Sequence, residues 1–214
     1  MEVILADGCR YARISCPETL IPAPGQYLLA SDGSDAPLPV PLFYTDSASQ
    51  GFISPVMSSW QPGQVLHLRG PLGRGFLLPL TARKVGLVAF DHTHARLRGL
   101  VQPALQQDAS VVLVSDMIVE DLSDEVEVQP LAALGEIISW ADALAIDVHR
   151  QNLPRLKETL GTWNQLSAVR DAQVLIRTQM PCGGIAECGV CAVVTRSGWQ
   201  MACKDGPVFF WKEI

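Results

Sequence analysis

Four cysteines, Cys182, Cys188, Cys191 and Cys203, crowd into the stretch MPCGGIAECGVCAVVTRSGWQMACKDGPVFF, which runs from Met180 to Phe210 of a 214-residue chain. Their spacing is C-x5-C-x2-C, then eleven residues, then the fourth cysteine. Thiolates are soft ligands for iron and zinc. Three on one loop and a fourth from a returning hairpin can enclose an inorganic cluster. Gly183, Gly184 and Gly189 let the loop bend sharply and turn backbone N–H groups toward the sulfurs. The plant-type [2Fe–2S] pattern is C-x4-C-x2-C with a distant fourth cysteine, and this chain adds one residue to the first gap. A zinc site is a competing reading, since four thiolates also suit a tetrahedral ion. Zinc ribbons usually pair two C-x2-C knuckles, however, and one is present here. Disulfides and four unligated thiols are further readings. Cys9 and Cys16 lie far away in sequence and read as ordinary packed residues.

Three groups of elements have to position these thiols. Residues 1–82 read as short strands separated by Pro and Gly clusters: EVILADG, CRYARISCP, GQYLLAS, FISPVMSSW and QVLHLRG. That rhythm predicts a small antiparallel β-barrel, with the loop SDGSDAPLPVP over Ser31–Pro41. Residues 83–168 change pattern. KVGLVAF, SVVLVSD and DALAIDV are compact apolar strands, alternating with helices expected over His94–Gln107, in LAALGEIISW and in LPRLKETLGTW. Pro103 is expected to bend the first of these. Strand–helix alternation predicts a Rossmann-like parallel α/β domain. Residues 169–214 form the third segment, which carries the cysteines.

Composition narrows the function. Apolar residues make up 48% of the chain, enough for a sizeable core. Charged residues are only 18%, below the usual quarter, so a partner can cover part of the surface. A net charge of −6 argues against nucleic acid or an anionic membrane as the main partner. The sequence has no apolar run of transmembrane length, and its start lacks the pattern of a signal peptide. A cytoplasmic location is therefore expected. In that compartment clustered cysteines are more often metal or redox ligands than disulfides.

At the cysteine segment the chain resembles the electron-transfer subunits of dihydroorotate dehydrogenase B, within the ferredoxin-reductase-like superfamily. MPCGGIAECGVCAV followed by GWQMACKDGPVF is similar to that family's C-terminal cluster segment. PAPGQYLLA and WQPGQVLHLRGPLGRGF are weaker matches to its early and last barrel strands. The resemblance implies a [2Fe–2S] cluster on Cys182, Cys188, Cys191 and Cys203, FAD in the barrel, and hydride received from NADH at the sheet domain.

The chain departs from the family at both nucleotide sites. Val40 stands where the flavin motif has arginine and Phe43 where it has a small hydroxyl, so a pyrophosphate there loses its counter-ion. TDSASQGF replaces the next, glycine- and threonine-rich flavin stretch. The glycine-rich nicotinamide turn aligns with AFDHTHARL. Phe90, Asp91 and Thr93 replace glycines there, Arg96 replaces proline, and Asp91 repels phosphate. The later Cys-Gly-Pro turn aligns with Asp147–His149. These departures predict loss of NAD(P)H binding in the family manner.

The remaining features have plainer readings. His92 and His94 beside Asp91 suggest a metal site less well than a helix start capped by Asp91 or Thr93. VEDLSDEVEV reads as a solvated loop and strand edge, with a docking surface as its alternative. Trp199 and Met201 either shield a cluster or pack the hairpin, and Lys204–Pro207 reads as a turn.

The expectation is thus an electron-transfer subunit that relays single electrons through a [2Fe–2S] cluster to a flavin- or substrate-bearing oxidoreductase subunit. Two alternatives stand beside it. One is a reductase component of a dihydroorotate dehydrogenase-like enzyme that keeps both FAD and the cluster. The other is a zinc-stapled interaction module with no redox role.

Overall fold

The first third forms short strands, most of them where the sequence alternates or runs apolar: β1 (Glu2–Ala6), β2 (Cys9–Ser15), β3 (Tyr27–Ser31), β4 (Val40–Phe43), β5 (Asp46–Ala48), β6 (Gly51–Pro55) and β7 (His67–Leu72). The computed structural model describes the chain except residues 7–8, 34–38, 58, 92, 162–168 and 170, and the side chains of residues 6 and 9. Much of the expected 31–41 loop, His92 and the end of the last expected helix therefore lie outside the described residues. The strands form two antiparallel sheets, in the orders β1-β2-β6-β5 and β4-β3-β7. Among the described residues no strand pairing joins the two, so the unit expected as one barrel is a pair of sheets. β4 and β5 come from the stretches aligned with the flavin motifs.

Ala12, Ile14, Leu28, Ala30, Leu42, Phe52 and Trp60 form the core of this unit. Because side chains alternate along a strand, Tyr27 and Leu29 point the other way and enter the larger second core. β3 thus binds the two cores together, and Tyr27 is completely buried on the side that receives the cysteine segment.

The second unit is built on β8 (Lys84–Ala89), β9 (Ser110–Val114), β10 (Val126–Gln129), β11 (Ala143–His149) and β12 (Asp171–Arg177). They pair in parallel in the order β10-β9-β8-β11-β12. β15 (Val208–Phe210) adds to β12 as an antiparallel edge strand. Chain direction across the sheet reverses between β8 and β11, which leaves a crevice at their C-terminal ends where doubly wound folds bind ligands. β12 and β15 both come from residues 169–214. The third segment of the sequence is therefore anchored in the sheet, and its cysteines emerge from it.

Helices α1 (Ala95–Arg98), α2 (Val101–Gln106), α3 (Leu134–Trp140) and α4 (Leu153–Gly161) fall where helices are expected. The expected helix over His94–Gln107 is two pieces, separated at Gly99 and Leu100. Pro103 has no N–H to offer the Gly99 carbonyl four residues back, so the break falls one turn before the proline. Gly99 also lies against the Tyr44 ring, 2.6 Å from where a Cβ would stand.

Candidate functional site

β12 delivers the chain to Met180, and a loop without regular structure carries Cys182 and Cys188 before reaching Cys191. A hairpin follows, of β13 (Ala192–Thr195) and β14 (Gly198–Met201). The Ala202 N–H donates to the Cys191 carbonyl at 3.1 Å, extending the hairpin by one step. That step brings Cys191 beside Cys203, although eleven residues separate them. The turn beyond is held by Asp205, whose carboxylate accepts from the Met201 N–H at 2.8 Å. This is the expected turn after the last cysteine.

Cys191 and Cys203 are buried, Cys182 is partly buried, and Cys188 is exposed; all four are free thiols. Cys188 acts on the Cys182 thiol, and Cys191 and, more weakly, Cys182 act on the Cys203 thiol, so the four lie within mutual electrostatic reach. Among the described residues, no three His, Cys, Asp or Glu side chains are gathered around a single metal position.

The loop's backbone explains its glycines. Gly183 and Gly184 have φ of 67° and 76°, and Ala186 follows at 63°. This left-handed path aims successive amides inward. Burial raises the Cys182 thiol, but hydrogen bonds from the Cys188 side chain and from the amides of Cys188, Glu187 and Ile185 outweigh it. The thiol settles at about 6. Cys203 moves the opposite way. Burial and the neighbouring Cys191 push it up to about 12, opposed by the Ala186 amide. Burial thus favours the protonated form of Cys203, whereas the amide donors favour the thiolate of Cys182.

Tyr27 carries the loop from below. Its hydroxyl donates to the Cys203 carbonyl at 2.7 Å. A Cβ on Gly184 would stand 3.2 Å from that hydroxyl and 3.3 Å from Leu72. Burial pushes the Tyr27 phenol above its ordinary range, and Cys203 and Cys191 add to the effect. The sequence offered no direct signal for this role. Tyr27 lies in PAPGQYLLA, a weak barrel-strand match, and only the fold brings it 176 residues along the chain to Cys203.

A second constellation occupies the crevice between β8 and β11. Asp147 accepts from Arg96 Nη1 at 3.1 Å and from Arg177 Nε at 2.6 Å. Arg177 Nη2 also reaches Asp91 at 2.5 Å. Asp91 further accepts from the His149 N–H and the Asn152 side chain. Asp91 thus ties together the strand ends and does not cap α1. The helix start is served by Thr93, whose hydroxyl accepts from the Ala95 N–H at 3.1 Å. One clue was present in the sequence: Asp147 interrupts the apolar strand LAIDV, and a buried acid requires a cation.

Of the two flavin-motif positions, Phe43 lies beside this network. Phe43 packs on Tyr27 with ring centres 5.7 Å apart. The Arg96 guanidinium lies 5.4 Å from the Phe43 ring centre. Val40 pairs with Ala30 on β3 and carries no charge.

No protein-family profile matches the chain. A 41-residue stretch, 19% of the chain, is 46% identical to part of the gamma subunit of sulfhydrogenase 1 from Pyrococcus furiosus, and the match spans 14% of that protein's length. Solved structures are similar over far more of the chain. An NADH-dependent reduced ferredoxin–NADP oxidoreductase, described for flavin-based electron bifurcation, superposes with a TM-score of 0.72 at 15% identity, over 100% of this chain and 89% of its own. The ferredoxin reductase of carbazole 1,9a-dioxygenase, in its FAD apo form, gives 0.55 at 12% identity, over 80% of this chain and 65% of its own. A cytochrome P450 reductase from Amycolatopsis gives 0.55 at 15% identity, over 83% and 68%. The fold is ferredoxin-reductase-like.

Proposed function

We propose that the chain is an electron-transfer subunit of an oxidoreductase complex, holding a [2Fe–2S] cluster on Cys182, Cys188, Cys191 and Cys203. The spacing of the four cysteines, gathered by one glycine-rich loop and a returning hairpin, carries this reading. A binuclear cluster takes two protein ligands on each iron, whereas a zinc ion takes four around one point. The C-x5-C-x2-C spacing with a distant fourth cysteine is close to the plant-type pattern of the first arrangement and lacks the paired C-x2-C knuckles of a zinc ribbon. When bound, such a centre passes single electrons and relies on a flavin to divide a hydride.

The chain's own residues prepare that site. The amides of Ile185, Glu187 and Cys188 favour the Cys182 thiolate, and the Ala186 amide points at the Cys203 sulfur. Donors of this kind offset the negative charge that four thiolates bring together. Tyr27 holds the carbonyl of Cys203 and so fixes the deep pair against the first unit.

The sheet unit serves as scaffold in this proposal, with NAD(P)H binding lost. Asp91, Arg96, Asp147 and Arg177 fill the strand-end crevice with ion pairs, and an anionic pyrophosphate there would have to displace a carboxylate. The flavin- or substrate-bearing partner then supplies the two-electron chemistry. The named likenesses, a sulfhydrogenase subunit and several reductases, support a general electron-transfer role, and the cysteine segment resembles that of the dihydroorotate dehydrogenase B electron-transfer subunits.

The test is an anaerobic visible spectrum of the purified protein, with iron, acid-labile sulfide, zinc and released flavin measured on one sample. About two irons and two sulfides per chain without flavin is the expected result. Zinc without sulfide overturns it. Cluster together with FAD selects the reductase alternative, which the whole-chain likeness to a flavin-based oxidoreductase favours.

A further inference from the structure

An electron relay needs a donor and an acceptor, and one apolar surface beside the cysteines is built to meet a protein. In the hairpin, Val194 pairs with Trp199 across the two strands, so their side chains share a face. Their neighbours Val193 and Thr195 are buried on the opposite face. Trp199 is 70% exposed, and Val194, Val190 and Ile185 are exposed as well. Such a tryptophan is costly to leave in water, and aromatic side chains of this kind anchor interfaces. Cys188, the exposed member of the four, belongs to the same loop as Ile185 and Val190.

The hairpin face borders a groove of about 420 Å³ against the start of α4, and its walls include Arg150 and Lys157. Among the described residues lining it, none is acidic. Arg150 Nη1 is fixed by the carbonyls of Val190 and Ala192, at 2.5 and 3.1 Å. Lys157 Nζ donates to the Ile214 carbonyl at 2.8 Å. The setting of these cations is unusual for an acidic protein. Residues 150–214 hold eight Lys and Arg against five Asp and Glu, whereas residues 1–149 hold eight against seventeen. By sequence, the cysteine-bearing segment carries a net positive charge within an acidic chain.

We propose that this face, centred on Trp199 and flanked by Arg150 and Lys157, docks an acidic one-electron carrier protein of the ferredoxin class. Charge complementarity selects the sign of the partner. The small apolar patch selects its kind, because weak electron-transfer encounters use small interfaces and permanent subunits use large apolar ones. The partner class rests on the electron-transfer reading above. The surface itself rests only on exposure and charge.

The experiment immobilises the purified full-length protein and measures binding of a plant-type ferredoxin, which is acidic, and of cytochrome c, which is basic. Iron and sulfide content are determined on the same preparation. Ferredoxin is expected to bind at low ionic strength and to weaken as salt rises, with cytochrome c much weaker. Trp199→Ala is expected to weaken ferredoxin binding about tenfold. Lys157→Glu is expected to weaken it at low salt and to match the parent at high salt. Both side chains are at the surface, and retained far-ultraviolet circular dichroism certifies the fold. Absence of ferredoxin binding, stronger binding of cytochrome c, or an unchanged Trp199→Ala variant overturns the proposal. So does a concentration-dependent dimer abolished by Trp199→Ala, which would make a second copy the occupant. A zinc-loaded protein that still binds ferredoxin through Trp199 refutes the cluster and leaves the docking face standing. An iron-loaded protein that ignores ferredoxin does the reverse.

Discussion

Asp147→Asn removes one negative charge from the end of β11 while nearly preserving the side chain's shape. The Asp147 carboxylate is wholly buried between two guanidinium groups, and the Arg96 side chain is only 13% exposed. After the change Arg177 keeps Asp91. Arg96 loses its carboxylate counter-charge and keeps the Phe43 ring. Burial already pushes the Arg96 guanidinium downward, and Asp147 is the first influence opposing it. Removing one partner of a buried pair costs about 3–5 kcal/mol. The asparagine oxygen can still accept one of the two hydrogen bonds, which places the loss near the lower end, about 3 kcal/mol. For a chain of this length that lowers Tm by about 6–12 °C. Urea and thermal unfolding of Asp147→Asn, Arg96→Met and the double variant would measure it. Removing the stranded cation should relieve the damage, so the double variant is expected to be no less stable than Asp147→Asn alone. A Tm within about 2 °C of the parent, or simple additivity of the two losses, would refute the claim that a buried ion-pair network holds the strand ends.

Thiol labelling separates Cys182 from Cys203 in metal-free protein. Below its pKa a thiol is protonated and inert, so alkylation of Cys182 should rise through about pH 6. Cys203, raised to about 12, should stay unlabelled through the neutral range. Mass spectrometry that finds Cys203 modified before Cys182 at neutral pH would contradict the amide arrangement. Gly184→Val places a branched side chain at φ 76° with its Cβ 3.2 Å from the Tyr27 hydroxyl. The left-handed conformation alone costs about 1–2 kcal/mol. Metal content of the purified protein should fall while circular dichroism of the sheets is retained, and full iron and sulfide content would show that the loop tolerates a Cβ.

Local order was readable where it follows from period and punctuation. Two-residue alternation marked β1, β2, β3, β6 and β7, and compact apolar runs marked β8, β9 and β11. β4 and β5 were hidden, because Pro41 and the polar run Asp46–Ala48 lack the apolar pattern of a strand and are held by pairing with β3 and β6. The break before α2 was visible through Pro103. Its displacement to Gly99 and Leu100 follows from which carbonyl the proline abandons, together with the packing of Tyr44.

By itself the sequence determined the four thiols, their spacing and the glycines that give the loop its left-handed turns, because these depend on residues near one another along the chain. It also set Asp91 and Asp147 at the positions aligned with the family's nicotinamide turns, the first as a charge that repels phosphate. Tertiary structure decided what those charges do: Arg96 and Arg177, distant in sequence, neutralise them across the ends of β8, β11 and β12. It also decided which cysteines come near each other, since the hairpin pairs Cys191 with Ala202, the residue before Cys203. Finally, it placed Tyr27 beneath them. A hydrogen bond spanning 176 residues leaves no periodic trace in a sequence, because the fold alone fixes which distant groups share a buried space.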